Sequence, residues 1–231
     1  MRARLAIYKS KQAVELRDVV LTNKPTEMLT ASPKGTVPIL VLGSSKESPL
    51  TVIDESLDIM LWALGGSDPG NLLRAETLDD AETLNNTEGV NSADTKNDIK
   101  PSTRLTDILS LVNQFDHEFK SCLEAYKCAK RYHETNLQDC RQACEEHIQN
   151  LEQRLNTHKY LIDEHESMAD IALLPFIRQF ARIERQWYLQ SPYPQLKRWL
   201  DQYLQGVMFT KVMTKYPLWS KDQVVIKFGD I

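Results

Sequence analysis

The chain has 231 residues, 42% of them hydrophobic and 26% charged, and its formal net charge is −4. This length can bury one large core or two small ones. The charge balance does not supply the basic face that nucleic-acid binding needs, and no apolar run approaches the ~18 residues of a membrane helix. We therefore expect no nucleic-acid or membrane partner. Because the N-terminus lacks a signal-peptide apolar region, we expect a cytoplasmic protein.

The first half of the chain predicts a mixed α/β unit. Residues 2–11 predict a helix, residues 14–21 a strand and residues 24–30 a short helix or turn. Residues 32–42 then read SPKGTVPILVL, in which a proline and a glycine mark a loop and the apolar run from Val37 predicts a buried strand. Because proline cannot donate to a sheet ladder, Pro38 indicates either a special turn or an ordinary edge strand.

A second short strand, residues 51–54, leads into a helix that opens at Glu55 and Ser56. A carboxylate and a hydroxyl at a helix start can simply cap free N–H groups and complement the helix dipole. They can also bind a ligand, because the N–H groups and the Ser56 hydroxyl attract a carboxylate while Glu55 accepts from an ammonium group. Both roles stay open at this point.

The chain between the two halves is acidic and polar. Gly65–Gly70 is a strong helix terminator, and residues 71–100 carry seven acidic and three basic residues. We interpret residues 66–102 as a linker or insertion that is partly disordered, because this composition is poor in groups that build a core.

The second half, residues 103–219, predicts helices with long apolar stripes. All four cysteines lie there, and we expect reduced thiols that act as small apolar side chains. Cys140, Cys144 and His147 share a helix face, but no fourth ligand is evident, so we predict no metal site. The histidines are interpreted as surface residues: His117, His133, His147, His158 and His165.

Ser167 is followed three residues later by Asp170, within apolar flanks. This spacing predicts a capping box, in which the serine hydroxyl accepts from the Asp170 N–H and the carboxylate accepts from the Ser167 N–H. Both residues are therefore assigned to folding rather than to catalysis.

The GTVP and DES segments at residues 35–38 and 54–56 together resemble the glutathione-binding half of the glutathione S-transferases. Residues 2–64 and about 104–219 are similar to that family, nearest to its omega-like, cysteine-type bacterial group. The resemblance implies an α/β, thioredoxin-like N-terminal domain over 1–65 and an all-α C-terminal domain over 103–219, with a tail over 220–231.

The resemblance also implies a ligand, glutathione as co-substrate, and no metal. The Val37–Pro38 bond is expected to be cis, so that the backbone of Val37 pairs with the cysteinyl part of glutathione. Glu55 and Ser56 are expected to hold the γ-glutamyl end, and Lys34 the glycyl carboxylate. The family also implies a homodimer, with an unknown electrophilic or disulfide substrate.

One departure from the family pattern concerns catalysis. In that group, a strand and a loop bearing cysteine or serine precede a helix that reads like residues 1–7. The resemblance therefore implies that this chain lacks its first strand and the catalytic loop. No catalytic residue is assigned, because Tyr8 and Ser10 lie too far inside the helix.

Three explanations for this departure stay open. The sequence can be incomplete, it can be a natural non-catalytic relative, or the β-rich run 224–228 can pair with the exposed sheet edge. The predicted function is glutathione-dependent transfer to an electrophile or thiol–disulfide exchange. The alternative is a non-catalytic module that binds glutathione or a protein partner.

Overall fold

The computed structural model describes residues 1–43, 51–74, 103–220 and 224–229. Most of the predicted linker lies outside the described residues. The N-terminal elements are α1 (Arg2–Ser10), β1 (Val14–Glu15), α2 (Thr26–Ala31), β2 (Leu40–Leu42), β3 (Thr51–Ile53) and α3 (Ser56–Gly66). The later elements are α4 (Thr103–Gln114), a π-helical turn (Phe115–Phe119), α5 (Lys120–Tyr132), α6 (Leu137–Thr157), α7 (Met168–Ile183), α8 (Arg185–Gln190), α9 (Pro194–Gln205), α10 (Val207–Val212) and β4 (Lys227–Phe228).

The α/β plus all-α fold class is confirmed, with a small thioredoxin-like sheet region followed by helices. Two predicted strands are shorter than expected. The strand predicted over 14–21 covers only Val14–Glu15, because its partner β4 is itself only two residues long. The strand predicted from Val37 begins at Leu40, because the turn at Pro38 precedes the ladder.

The C-terminal run pairs with the N-terminal region, as one of the three explanations predicted. β4 runs antiparallel to β1, with Val14 opposite Phe228. The Leu16 N–H donates to the Ile226 carbonyl at 2.8 Å, and the Trp219 N–H donates to the Asp18 carbonyl at 2.8 Å. The Phe228 side chain is buried, so the tail contributes to the core as well as to the sheet.

Helix α1 joins the two halves of the fold. It packs against α3 on the N-terminal side and against α7 and α10 on the helical side. Its residues Leu5 and Ala6 are fully buried, as are Met60 and Ala63 of α3. Arg2 at the start of α1 makes a bidentate ion pair with Asp116 of the π-helical turn, at 2.7 and 3.0 Å.

Aromatic side chains fill the centre of the helical half, and one histidine joins them. The rings of Phe115 and Phe119 lie 4.6 Å apart, and His147 packs edge-on against them at 5.9 and 5.7 Å. The interpretation of His147 as a surface residue is therefore wrong, because its ring is half-buried on these phenyl faces. His158 is likewise half-buried.

Within the described residues, no helix is both long and apolar enough to cross a bilayer.

The predicted capping box is confirmed at the start of α7. The Ser167 N–H donates to the Asp170 carboxylate at 2.9 Å. Asp170 is completely buried and also accepts from the Leu161 N–H and the Trp199 Nε1–H, both at 3.0 Å. Burial raises the pKa of Asp170 to about 6, while these donors favour its charged form. This carboxylate therefore ties α7 to α9 and to the segment before α7.

Candidate functional site

The ladder between β2 and β3 brings the predicted site residues to one end of the sheet. Leu40 lies opposite Ile53 and Leu42 opposite Thr51 in an antiparallel register. In this antiparallel pair, each earlier residue of β2 lies opposite a later residue of β3. Because the ladder ends at the pair Leu40–Ile53, the segment that precedes β2, with Val37 and Pro38, and the segment that follows β3, with Glu55 and Ser56, leave the sheet at the same end.

Two side-chain contacts hold the preceding loop at this end. The buried Ser32 hydroxyl donates to the Asp54 carboxylate at 3.2 Å. The Lys34 ammonium pairs with the Glu55 carboxylate, and both side chains are about half exposed. Hydrogen bonding to Glu55 raises the pKa of Lys34. The structure thus pairs Lys34 with Glu55. The sequence predicted that each would bind a different end of the ligand, Lys34 the glycyl carboxylate and Glu55 the γ-glutamyl end.

A glycine shapes the loop that carries Lys34. Gly35 has a φ of +61°, in the left-handed region, and its N–H donates to the Ser32 carbonyl at 2.9 Å. A Cβ added there would lie 3.2 Å from Leu29 Cδ2. A side chain at this position would therefore disturb both the turn and its packing.

The backbone of Val37 is available to a ligand. The predicted cis bond between Val37 and Pro38 is confirmed, and Val37 is 48% exposed. Among the described residues, no backbone group pairs with the N–H or the C=O of Val37. An N–H and a C=O that lack a backbone partner near the end of a sheet can pair with an extended peptide as an added strand does.

The N-terminus of α3 is also available. The Glu55 carbonyl accepts from the Ile59 N–H at 3.1 Å, but the Glu55 side chain points to Lys34 and does not cap the helix. Within the described part of the chain, the Ser56 hydroxyl has no hydrogen-bond partner. Free N–H groups at a helix start, together with a hydroxyl, attract a carboxylate.

The cysteines lie elsewhere, in α5 and α6, and none forms a disulfide. Cys144 is buried, and burial raises the pKa of its thiol to about 12. Burial also raises the pKa of the half-buried Cys122 thiol. These thiols therefore pack as apolar groups. The described residues contain no cluster of three side chains suited to a metal ion.

Together these groups suit a small peptide-like molecule that carries a carboxylate and an ammonium group on one end. Sequence comparison agrees with this chemistry. Residues 1–70 match the model of the glutathione S-transferase N-terminal domain, and residues 123–202 match that of the glutathione S-transferase C-terminal domain. The chain belongs to the glutathione S-transferase family. No curated protein matches the chain.

Solved structures of glutathione transferases share the fold at low sequence identity. Glutathione S-transferase-I bound with lactoylglutathione is 17% identical, with a TM-score of 0.65 and 91% of each chain covered. Glutathione transferase F7 from Populus trichocarpa is also 17% identical, with a TM-score of 0.63 and the same coverage. A family member from Pseudomonas fluorescens, solved with two glutathione bound, is 14% identical, with a TM-score of 0.64, covering 91% of this chain and 86% of that one.

Two site contacts were missed by sequence reasoning. The Ser32–Asp54 hydrogen bond fixes the loop, and its only sequence signal is a serine before Pro33 and an aspartate before Glu55. The Lys34–Glu55 ion pair joins two residues that were predicted for different ends of a ligand. Neither contact could be read from spacing along the chain.

Proposed function

We propose that this family member binds glutathione at the end of the β2–β3 ladder, as co-substrate for transfer to an electrophile or for thiol–disulfide exchange. The observation that carries the proposal is that the segments bearing the exposed Val37 and the pair Glu55–Ser56 leave the β2–β3 ladder at one end, where Glu55 contacts Lys34 of the preceding loop. The glutathione and lactoylglutathione bound to structural neighbours support the same ligand class.

Each part of glutathione has a matching group. The γ-glutamyl carboxylate fits the Ser56 hydroxyl and the free N–H groups of α3, and its ammonium fits the Glu55 carboxylate. The cysteinyl backbone fits Val37 as an added strand, and the glycyl carboxylate fits Lys34. Binding in this way opens the Lys34–Glu55 ion pair. That pair is solvent-exposed and therefore weak. The ligand ammonium can thus replace Lys34 as the partner of Glu55, and the glycyl carboxylate can replace Glu55 as the partner of Lys34.

Calorimetry tests the assignment. Glu55→Ala and Ser56→Ala are each expected to weaken glutathione binding about tenfold, because each removes a charge-assisted hydrogen bond. Asp139→Asn is the control, since Asp139 is an exposed acid in the first turn of another helix, α6, and is not one of the residues assigned to the site. If the intact chain binds glutathione and neither Glu55→Ala nor Ser56→Ala weakens it, the site is misassigned.

The second candidate function is non-catalytic binding of glutathione or of a protein partner. It is favoured by the position of the cysteines, all in α5 and α6, and by the Ser10 hydroxyl, which donates to the Ile7 carbonyl at 3.1 Å inside α1. Neither a cysteine thiolate nor the Ser10 hydroxyl is therefore assigned to activate the glutathione sulfur. Binding alone does not accelerate the chemical step.

A turnover assay separates the two candidates. Negligible turnover of a chloroarene or a disulfide at saturating glutathione is the result that the second candidate predicts, because no group among the described residues is assigned to activate the thiol. Turnover well above the uncatalysed rate that disappears on changing Tyr8, Ser10 or one cysteine would reveal a catalytic group. A homodimer, a cytoplasmic location and the omega-like, cysteine-type grouping stay predictions.

A further inference from the structure

A groove of about 560 Å³ lies between the C-terminal end of α6 and one face of α9. It shares no residue with the proposed glutathione site. Its floor includes the buried side chains of Leu155 and Trp199. The Trp199 ring is fixed, because its Nε1–H donates to the buried Asp170 carboxylate at 3.0 Å. A groove of this size on a rigid floor accommodates a small organic molecule.

Two cations, Lys159 and Arg198, line the groove. Within the described residues, neither Lys159 nor Arg198 makes an ion pair, and the Lys159 ammonium lies 5.4 Å from the centre of the Tyr160 ring. Among the described residues, the carboxylate that lines the groove is that of Glu164, which faces His158 Nδ1 at 3.3 Å. The described side chains that line the groove therefore carry two positive charges against one negative charge, on a chain whose formal net charge is −4. Such a local excess of positive charge favours an anion.

Neutral polar groups complete the lining. Gln195, Arg198 and Gln202 recur at helical spacing on one face of α9, and Asn156 faces them from the end of α6. Side-chain amides both donate and accept hydrogen bonds, so they suit hydroxyl groups. The groove therefore combines unpaired positive charge with hydroxyl-binding amides.

We propose that this groove is a second binding site, for a small hydroxylated organic anion that carries a phosphate or a carboxylate. The anionic group lies between Arg198 and Lys159, where the guanidinium and ammonium can both donate to it. The hydroxyl groups of the ligand lie against Gln195, Gln202 and Asn156. The site is independent of glutathione and adds a binding function to the helical half.

Calorimetry and the NMR signal of the Trp199 indole N–H test the proposal, with glucose 6-phosphate, citrate and glucose as probes. At millimolar concentrations, one or both anions are expected to bind saturably and to shift that signal, whereas uncharged glucose is not. Comparing the two anions distinguishes a phosphate from a carboxylate ligand. Absence of saturable binding by both anions, or equal binding of glucose, would overturn the proposal.

Variants locate the anion. Arg198→Gln and Lys159→Gln are each expected to weaken anion binding about tenfold, through loss of one charged hydrogen bond. Arg131→Gln is the matched control, because Arg131 is an exposed cation stacked on Tyr132. It lies at the end of α5, beside the start of α6, and is therefore about 30 Å from the groove along the length of α6. Anion binding that survives both groove variants, or that is lost equally in the control, contradicts the site.

Discussion

Replacement of Asp170 by alanine is expected to lower the free energy of unfolding by about 3–5 kcal/mol. The capping box alone accounts for about 0.5–2 kcal/mol. The additional loss arises because the substitution leaves the buried donors of Leu161 and Trp199 without an acceptor. Urea unfolding followed by circular dichroism measures the change.

Ser167→Ala is the matched control for this prediction. It removes the serine side of the capping box but keeps the carboxylate and its donors from Leu161 and Trp199, so a loss of only about 1 kcal/mol is expected. Glutathione affinity per folded molecule should change little in either variant. A loss in Asp170→Ala no larger than in Ser167→Ala would show that the buried donors find other partners.

Replacement of Gly229 by alanine is expected to lower the free energy of unfolding by about 2–4 kcal/mol. Gly229 has a φ of +101°, and a Cβ there would lie 1.9 Å from the Gln12 carbonyl oxygen. Because that contact is with backbone, the tail has to move away. The movement would break the pairing of β4 with β1 and expose the buried Phe228 side chain.

Gly65→Ala is the control for a glycine substitution as such. Gly65 is helical, and a Cβ there meets no atom of the described residues within 4 Å. It is expected to raise the free energy of unfolding by about 0.5–1 kcal/mol, since alanine loses less backbone entropy in a helix. Thermal and urea unfolding of both variants give the comparison. If Gly229→Ala is as stable as the unchanged chain, the tail does not support the fold.

Local patterns in the sequence predicted the helices and the capping box well. The spacing of apolar residues that predicts a helix can be seen in the local sequence alone. The same holds for the capping box, because Ser167 and Asp170 lie only three residues apart. The lengths of the strands could not be predicted in this way. The ladder of β1 covers only the pairs Val14–Phe228 and Glu15–Lys227, whose members lie more than 200 residues apart in the sequence, and such a distant register leaves no local signal.

The candidate site was predicted only in part. The motifs around Val37 and Glu55 carried the family resemblance, and the cis bond that it implied is present. The pairing of Lys34 with Glu55 could not be predicted, because exposed side chains take their partners from the folded loop geometry. The position of His147 was missed for a similar reason, since the two phenyl rings that cover it belong to another helical segment.

A crystal structure of this chain with glutathione is the most direct test of the binding site. The cysteinyl N–H and C=O are expected to pair with the backbone of Val37, and the γ-glutamyl carboxylate to lie on Ser56 at the start of α3. The Glu55 carboxylate is expected to leave Lys34 and accept from the ligand ammonium. Glutathione bound elsewhere, with the Val37 backbone unpaired and Glu55 still on Lys34, would contradict the proposed function.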